Sequence, residues 1–228
     1  MSITAFLPCR AGSSRVPNKN WKPFAYVKHG LIEIKLAQLL DCTSIDKIVL
    51  SSNDTVILEY ADRLNETRLT VHERSAELSQ NNTETHALFS HAVDLIPQGD
   101  ILWTHVTSPF TTSATYSTIV QEYKKALLQG FDSLMTTTAH QGFFWYDNQT
   151  INYDRQSIKW PRTQTLKPVH EVNSCAFVSS RANYLRYEDR IGEKVKLLPI
   201  SRFEGFDIDW PEDFKLAEVM LKENLVSL

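Results

Sequence analysis

The chain has 228 residues, 42% of them apolar and 22% charged, with a formal net charge of −3. That length sustains one sizeable core with a small appendage and leaves two full domains cramped. The balance excludes a general attraction to a nucleic-acid backbone, and no apolar run approaches the roughly 18 residues of a membrane span, so a soluble protein without nucleic-acid or membrane partners is expected.

The first ten residues, MSITAFLPCR, carry no basic region before their short apolar run and no small-residue cleavage site. They read as a first strand of a cytoplasmic protein. Residues 3–7, 47–51, 100–105, 133–138 and 176–179 are short apolar runs bounded by polar or turn residues, the pattern of buried strands. Between them, residues 31–40, 55–64, 83–95, 114–128 and 211–225 have helical periodicity. Strands alternating with helices imply right-handed crossovers, hence an open, mainly parallel α/β sheet with helices on both faces. The alternation breaks over residues 139–172, where residues 141–153 read as a hairpin-like excursion that extends toward a partner subunit. Cys9, Cys42 and Cys175 are odd in number and far apart, which speaks against disulfides or a zinc site.

The charge that matters is local. Arg10, Arg15, Lys19 and Lys22 follow the first strand with no acid among them. The carboxyl end of a strand is where ligands sit in an open α/β sheet. Gly12, Ser13 and Ser14 can turn N–H groups toward an anion, and Arg10 and Lys19 add full charges, a combination that suits a triphosphate. The same composition also describes a solvated basic loop; neither a P-loop nor a Rossmann fingerprint is present.

The segment RAGSSRVPNKN, residues 10–20, resembles the RxGSxRxPxKN signature of the acylneuraminate cytidylyltransferases, the CMP-sialic acid synthetase family, which includes enzymes for related nonulosonic acids. CMP-Kdo synthetases are similar but lack the final Asn, so Asn20 points to the sialic acid branch. Further matches follow in the same order over most of the chain. The resemblance implies a nucleotide site built from Arg10, Ala11, Gly12, Ser13, Lys19 and Asn20, from Ser52 and Asp54 in IVLSSNDT, and from Arg74 and Ser79 in HERSAELSQNNTET. LWTHVTSPF resembles LLQPTSPLR and implies an acceptor wall of Thr107 and Ser108, with His105 in place of the family's Gln. WPRTQTLKPVHEVNSCAFV resembles PRxQxLPxxxxxNGAxYI, which puts Arg162 against the acceptor's carboxylate and Asn173 at the start of a strand, with Ser174-Cys175 replacing Gly-Ala.

GFDIDWPEDFKLAE resembles SIDIDTPEDLxLAE. Read as a strand, it points Asp207 and Asp209 to one side, where two carboxylates can share one Mg²⁺, and Pro211 opens the last helix. The family's Pro-x-Lys element is missing after residue 138, a departure that bears on the acceptor more than on the donor. The implied reaction is attack of an acidic sugar's hydroxyl on the α-phosphate of CTP, with Arg10, Lys19, Asp207 and Asp209 as the catalytic set and a homodimer as the working unit. Transfer to Kdo or another acidic acceptor, and a nucleotide-binding protein without catalysis, are the alternatives. The intact catalytic set weighs against the second.

Overall fold

The computed structural model describes residues 1–80 and 83–228. In chain order the elements are β1 (Ile3–Cys9), α1 (Gly30–Asp41), β2 (Lys47–Ser52), α2 (Thr55–Leu64), β3 (Leu69–Glu73), α3 (Thr85–Leu95), β4 (Asp100–Trp103), α4 (Ser113–Leu128), β5 (Ser133–His140), β6 (Trp145–Tyr146), β7 (Gln149–Thr150), β8 (Val169–Ser180), α5 (Arg181–Tyr187), β9 (Val195–Ile200) and α6 (Pro211–Lys222). Seven strands form one sheet in the order β3-β2-β1-β4-β8-β5-β9, and β6 and β7 form a separate ribbon. Every neighbouring pair in the large sheet is parallel except those made by β8, which runs antiparallel to both β4 and β5.

The period of two in β1 explains why the sheet is covered twice. Ile3, Ala5, Leu7 and Cys9 face one core, shared with α1, α2, α4 and α6, while Phe6 faces a second, shared with α3 and α5. Each buried side chain of Leu or Phe size in these layers contributes about 1.5–3 kcal/mol. All three cysteines are buried and free.

The central α/β pattern of the sequence is present, and three elements go beyond it: β3, α5 and β9. Strand β8 starts seven residues before the expected 176–179 segment because its register against β5 shifts between Met135 and Thr137. Ser174 adopts a left-handed φ of 58° in that irregularity. Such a bulge interrupts the alternation on which strand recognition rests. Strand β4 stops at Trp103, not at 105, because the Thr104 N–H still donates to Phe6 O while the chain then turns away over the sheet end. Residues 207–209 are also not a strand; they are extended chain anchored by the Ile208 N–H donating to Thr107 O at 2.9 Å.

Candidate active site

The β1–α1 loop is built by its own residues. Gly12 has φ +80°, a left-handed conformation that the absence of a side chain permits. Behind it, the Ala11 N–H donates to Asn53 Oδ1 at 2.8 Å, and Asn20 Nδ2 donates to Arg10 O at 3.1 Å, closing the loop at its base. Asn53 was not singled out in the sequence; its place in a Ser-Asn-Asp turn between strand and helix is the signal that points to it.

Ser52 and Asp54 support this loop and do not line the cleft. Ser52 is fully buried and its Oγ accepts from the Asp54 N–H at 3.0 Å. Asp54 caps α2 through Val56 N–H and accepts from Trp21 Nε1 at 3.1 Å. The side-chain oxygens of both are spent on the turn that supports the loop. Ser79 is likewise turned aside: it ends a 3₁₀ turn and donates to Ser75 O at 2.9 Å. Asn81 and Asn82, inside the same motif, lie outside the described residues.

A cleft of about 480 Å³ opens over the carboxyl ends of β1 and β4. Arg10, Ser13, Lys19 and Asn20 line it from the loop, Arg74 from beyond β3, and His105, Thr107 and Asp209 from the far side. Arg74 is only 3% exposed, and its Nε and Nη2 have no hydrogen-bond partner. Burial pulls its pKa down, with the Arg10 charge adding to the effect. Buried donors in native proteins are almost always met, which makes these two N–H groups an exception beside the cleft. The structure thus brings together the cations implied by the sequence, although Ala11 and Gly12 contribute backbone at the loop and not cleft wall.

Lys19 joins the two halves of the site. Its Nζ donates to Ile208 O at 2.6 Å and lies 3.5 Å from Asp209 Oδ1. Arg15 Nη1 stands 3.2 Å from Asp209 Oδ2, with its guanidinium over the Trp210 ring. The segment is held from below as well, because Asp213 Oδ2 accepts from the N–H groups of Asp209 and Trp210 at 3.0 and 2.7 Å. Ile208 points into the core with no exposure; Asp209 after it is exposed, while Asp207 before it is partly buried. Burial raises the Asp207 pKa, opposed by its hydrogen bond from Thr107, and Oδ1 of Asp207 has no partner. Asp207 and Asp209 both line a second cleft, which runs past Asn173 and Arg202 and meets the first at Ser174 and Asp209.

His105 lies just beyond β4. Its Nε2 accepts from Trp103 Nε1 at 3.0 Å. An indole nitrogen only donates, so the imidazole carries its proton on Nδ1. Burial, followed by the charges of Arg190, Lys35 and Lys19, depresses its pKa to about 3 and leaves it a neutral donor in the cleft wall. Ser108 is fully buried; its carbonyl accepts from Lys35 Nζ at 2.8 Å, while its Oγ has no hydrogen-bond partner. Asn173 is an anchor too, accepting from Thr136 Oγ1 at 2.8 Å and donating to Thr138 Oγ1 at 3.2 Å, although it also lines the second cleft.

Arg162 is exposed and flanks a 3₁₀ turn, Thr163–Thr165, on the excursion. It lines neither cleft. Within one chain it is therefore not assembled with Asp207 and Asp209. The excursion itself contains the expected hairpin, β6 and β7, braced by Asn152 Nδ2 donating to Gly142 O and Lys167 O at 2.8 Å.

Comparison with known proteins gives the family. The sequence profile of a family described as cytidylyltransferase matches residues 4–226. A pseudaminic acid cytidylyltransferase of Campylobacter jejuni is 24% identical over 98% of each chain. A CMP-N,N'-diacetyllegionaminic acid synthase of Legionella pneumophila is 25% identical over 100% of each chain. Among solved structures, a CMP:2-keto-3-deoxy-manno-octonic acid synthetase complexed with CTP superimposes with a TM-score of 0.71 at 11% identity, covering 98% of this chain and 100% of that one. A 4-diphosphocytidyl-2C-methyl-D-erythritol synthase of Anaerococcus prevotii gives 0.64 at 18% identity, covering 97% and 96%. Nearly the whole length is matched in sequence and in fold, and the chain belongs to the cytidylyltransferase family.

Proposed function

We propose that this enzyme transfers CMP from CTP to a nonulosonic acid of the pseudaminic or legionaminic type, releasing pyrophosphate, and that it works in the cytoplasm as a homodimer on the route to a surface polysaccharide. The observation that carries the reading is the convergence of Arg10, Lys19 and Arg74 with Asp209 around one cleft. The relatives named for pseudaminic and diacetyllegionaminic acid support the acceptor class. No helix among the described residues is long and apolar enough to cross a membrane. We read the chain as one cytidylyltransferase domain, with residues 139–172 as a dimerisation arm.

Asp207 and Asp209 would hold Mg²⁺. The buried, unpartnered Oδ1 of Asp207 is an unmet carboxylate oxygen of the kind a hard cation satisfies. When bound, the ion supplies Lewis-acid charge at the α-phosphate and lowers the pKa of the acceptor hydroxyl. To hold the ion, Asp209 would give up its pairing with Arg15 and Lys19, leaving both cations to phosphate oxygens.

The acceptor's anomeric oxygen bonds to the α-phosphorus as the bond to the bridging oxygen of the β-phosphate breaks; the hydroxyl proton passes to water and pyrophosphate departs. Arg10 and Lys19 neutralise the departing charge, and Arg74 fills its unmet N–H groups with nucleotide oxygens. The Thr107–Ile208 contact keeps the acids in register with the cleft. Pyrophosphate release measured with each of the four NTPs and a panel of acidic sugars tests the reading. Turnover confined to CTP with a nonulosonic acid is expected; preferential turnover of 2-keto-3-deoxy-manno-octonic acid, or of a different NTP, overturns it.

A further inference from the structure

One cation in the cleft is not used by the chemistry above. Arg190 stands in the turn between α5 and β9 and lines the cleft. Its guanidinium stacks 3.6 Å from the centroid of the Phe177 ring and 5.8 Å from that of Trp103. Asp189 and Tyr184 lie near enough to favour its charge, yet among the described residues no carboxylate forms an ion pair with it. The turn that carries it is fixed: Gly192 N–H donates to Ser133 Oγ at 2.9 Å, and the N–H groups of Glu193 and Lys194 bind the Asp132 carboxylate. A planar five-donor fork held on rings, half-buried and without a counter-ion, is a preorganised receptor for an oxygen acceptor.

Position selects which oxygen. Arg190 packs on Trp103, whose indole donates to His105, whereas Asp209 at the reacting end is held by Arg15 and Lys19, so Arg190 and the acid are tied to the cleft through different neighbours. In a 2-keto acid sugar the carboxylate and the reacting hydroxyl share one carbon, which keeps the carboxylate at the Asp209 end. What reaches Arg190 is a substituent farther round the ring. Resting on the acceptor reading above, we propose that Arg190 is a specificity-determining residue whose guanidinium donates to the carbonyl oxygen of an acylamino group on the acceptor, with Trp103 forming the adjoining wall.

The test uses the full-length enzyme with N,N'-diacetyllegionaminic acid and an N-acylated pseudaminic acid as acceptors, and 2-keto-3-deoxy-manno-octonic acid, which lacks acylamino groups, as a competitive inhibitor. Arg190→Leu is expected to raise the acceptor KM by about 10-fold or more while the CTP KM and kcat stay near wild type. The inhibition constant of the non-acylated acid should not move. Arg190→Lys should fall between, since it keeps charge and loses the fork. An unchanged KM for the acylated acceptor, an equal loss for both acids, or a loss confined to CTP overturns the proposal. Wild-type enzyme that turns over neither acylated acid removes the functional reading and this inference with it; normal turnover without an Arg190 effect removes only the inference.

Discussion

The Trp103 indole donates to His105 Nε2 at 3.0 Å and so fixes both the tautomer and the direction of the imidazole at the cleft wall. Because burial holds the His105 pKa near 3, the ring is neutral throughout the working range and serves as an N–H donor, not a proton shuttle. His105→Gln is therefore expected to retain activity, since an amide supplies a neutral donor from the same place. His105→Leu should raise the acceptor KM by about 3- to 10-fold, the cost of one neutral hydrogen bond. Steady-state kinetics across pH 5 to 8 check this, and an ionisation that disappears in the Gln variant would contradict it.

Asp207 carries a cost that function explains. Its Oδ1 is buried without a partner, and Asp209 adds like charge nearby. Asp207→Asn keeps the shape while removing the charge, and it is expected to raise the unfolding free energy by about 1 kcal/mol while lowering turnover by a factor of about 100 or more. Urea unfolding and pyrophosphate release, measured on the same preparation, give both numbers. A variant that is destabilised and active counts against the cation role.

How far the sequence could be read depends on which residues act alone. Arg10, Lys19 and Asp209 form one cluster that was legible because each lies in a short motif at a strand end, where an open α/β sheet gathers its ligands. Ser52, Asp54 and Ser108 sit in equally recognisable motifs, yet their polar atoms point into turns and the core; motif position fixes the backbone and leaves the side chain's direction open. Arg190 carried no signal at all, because its neighbours in space, Phe177 and Trp103, come from two other strands. β9 is an edge strand whose residues are mostly half-buried, and Lys196 and Pro199 interrupt its apolar residues, Pro199 being a residue that argues against a strand.

Lys35 gives the fold a dependence on pH. Wholly buried, it donates to Ser108 O and Tyr116 Oη at 2.8 Å, and burial lowers its pKa from 10.5 to about 7. Between those values the unfolded chain holds a proton that the folded chain does not, so this group's contribution makes stability rise with pH across the interval and leaves a constant penalty below it. From pH 7 to about 8.5, short of thiol and phenol ionisation, the wild type should gain stability at up to about 1.4 kcal/mol per pH unit relative to Lys35→Met. The slope is the readout, because the Met variant also strands the Ser108 carbonyl and shifts the absolute value. Parallel slopes in the two proteins would contradict the assignment.

The arm makes the last and most demanding prediction. Phe143 meets Tyr153 and Trp160 edge-on at 5.2 Å, and Arg155 lies over both Trp145 and Trp160, so the aromatics brace one another. Trp145 is nonetheless 44% exposed and Trp160 65%. That much aromatic surface in water calls for a covering partner, and in the proposed homodimer a second copy of the arm would supply one. Arg162, absent from both clefts of its own chain, would then serve the neighbour's acceptor site. Two inactive variants test this together: Arg162→Ala lacks the reaching guanidinium, and Asp209→Asn lacks the acid. In a mixed dimer, the site that keeps Asp209 receives Arg162 from the other subunit and works again. Random reassociation makes half the dimers mixed, each with one competent site, so activity should recover to about a quarter of wild type in a two-fold assembly. Recovery that is absent despite mixed dimers seen by native mass spectrometry would confine Arg162 to its own chain, and sedimentation as a fully active monomer at micromolar concentration would remove the dimer altogether.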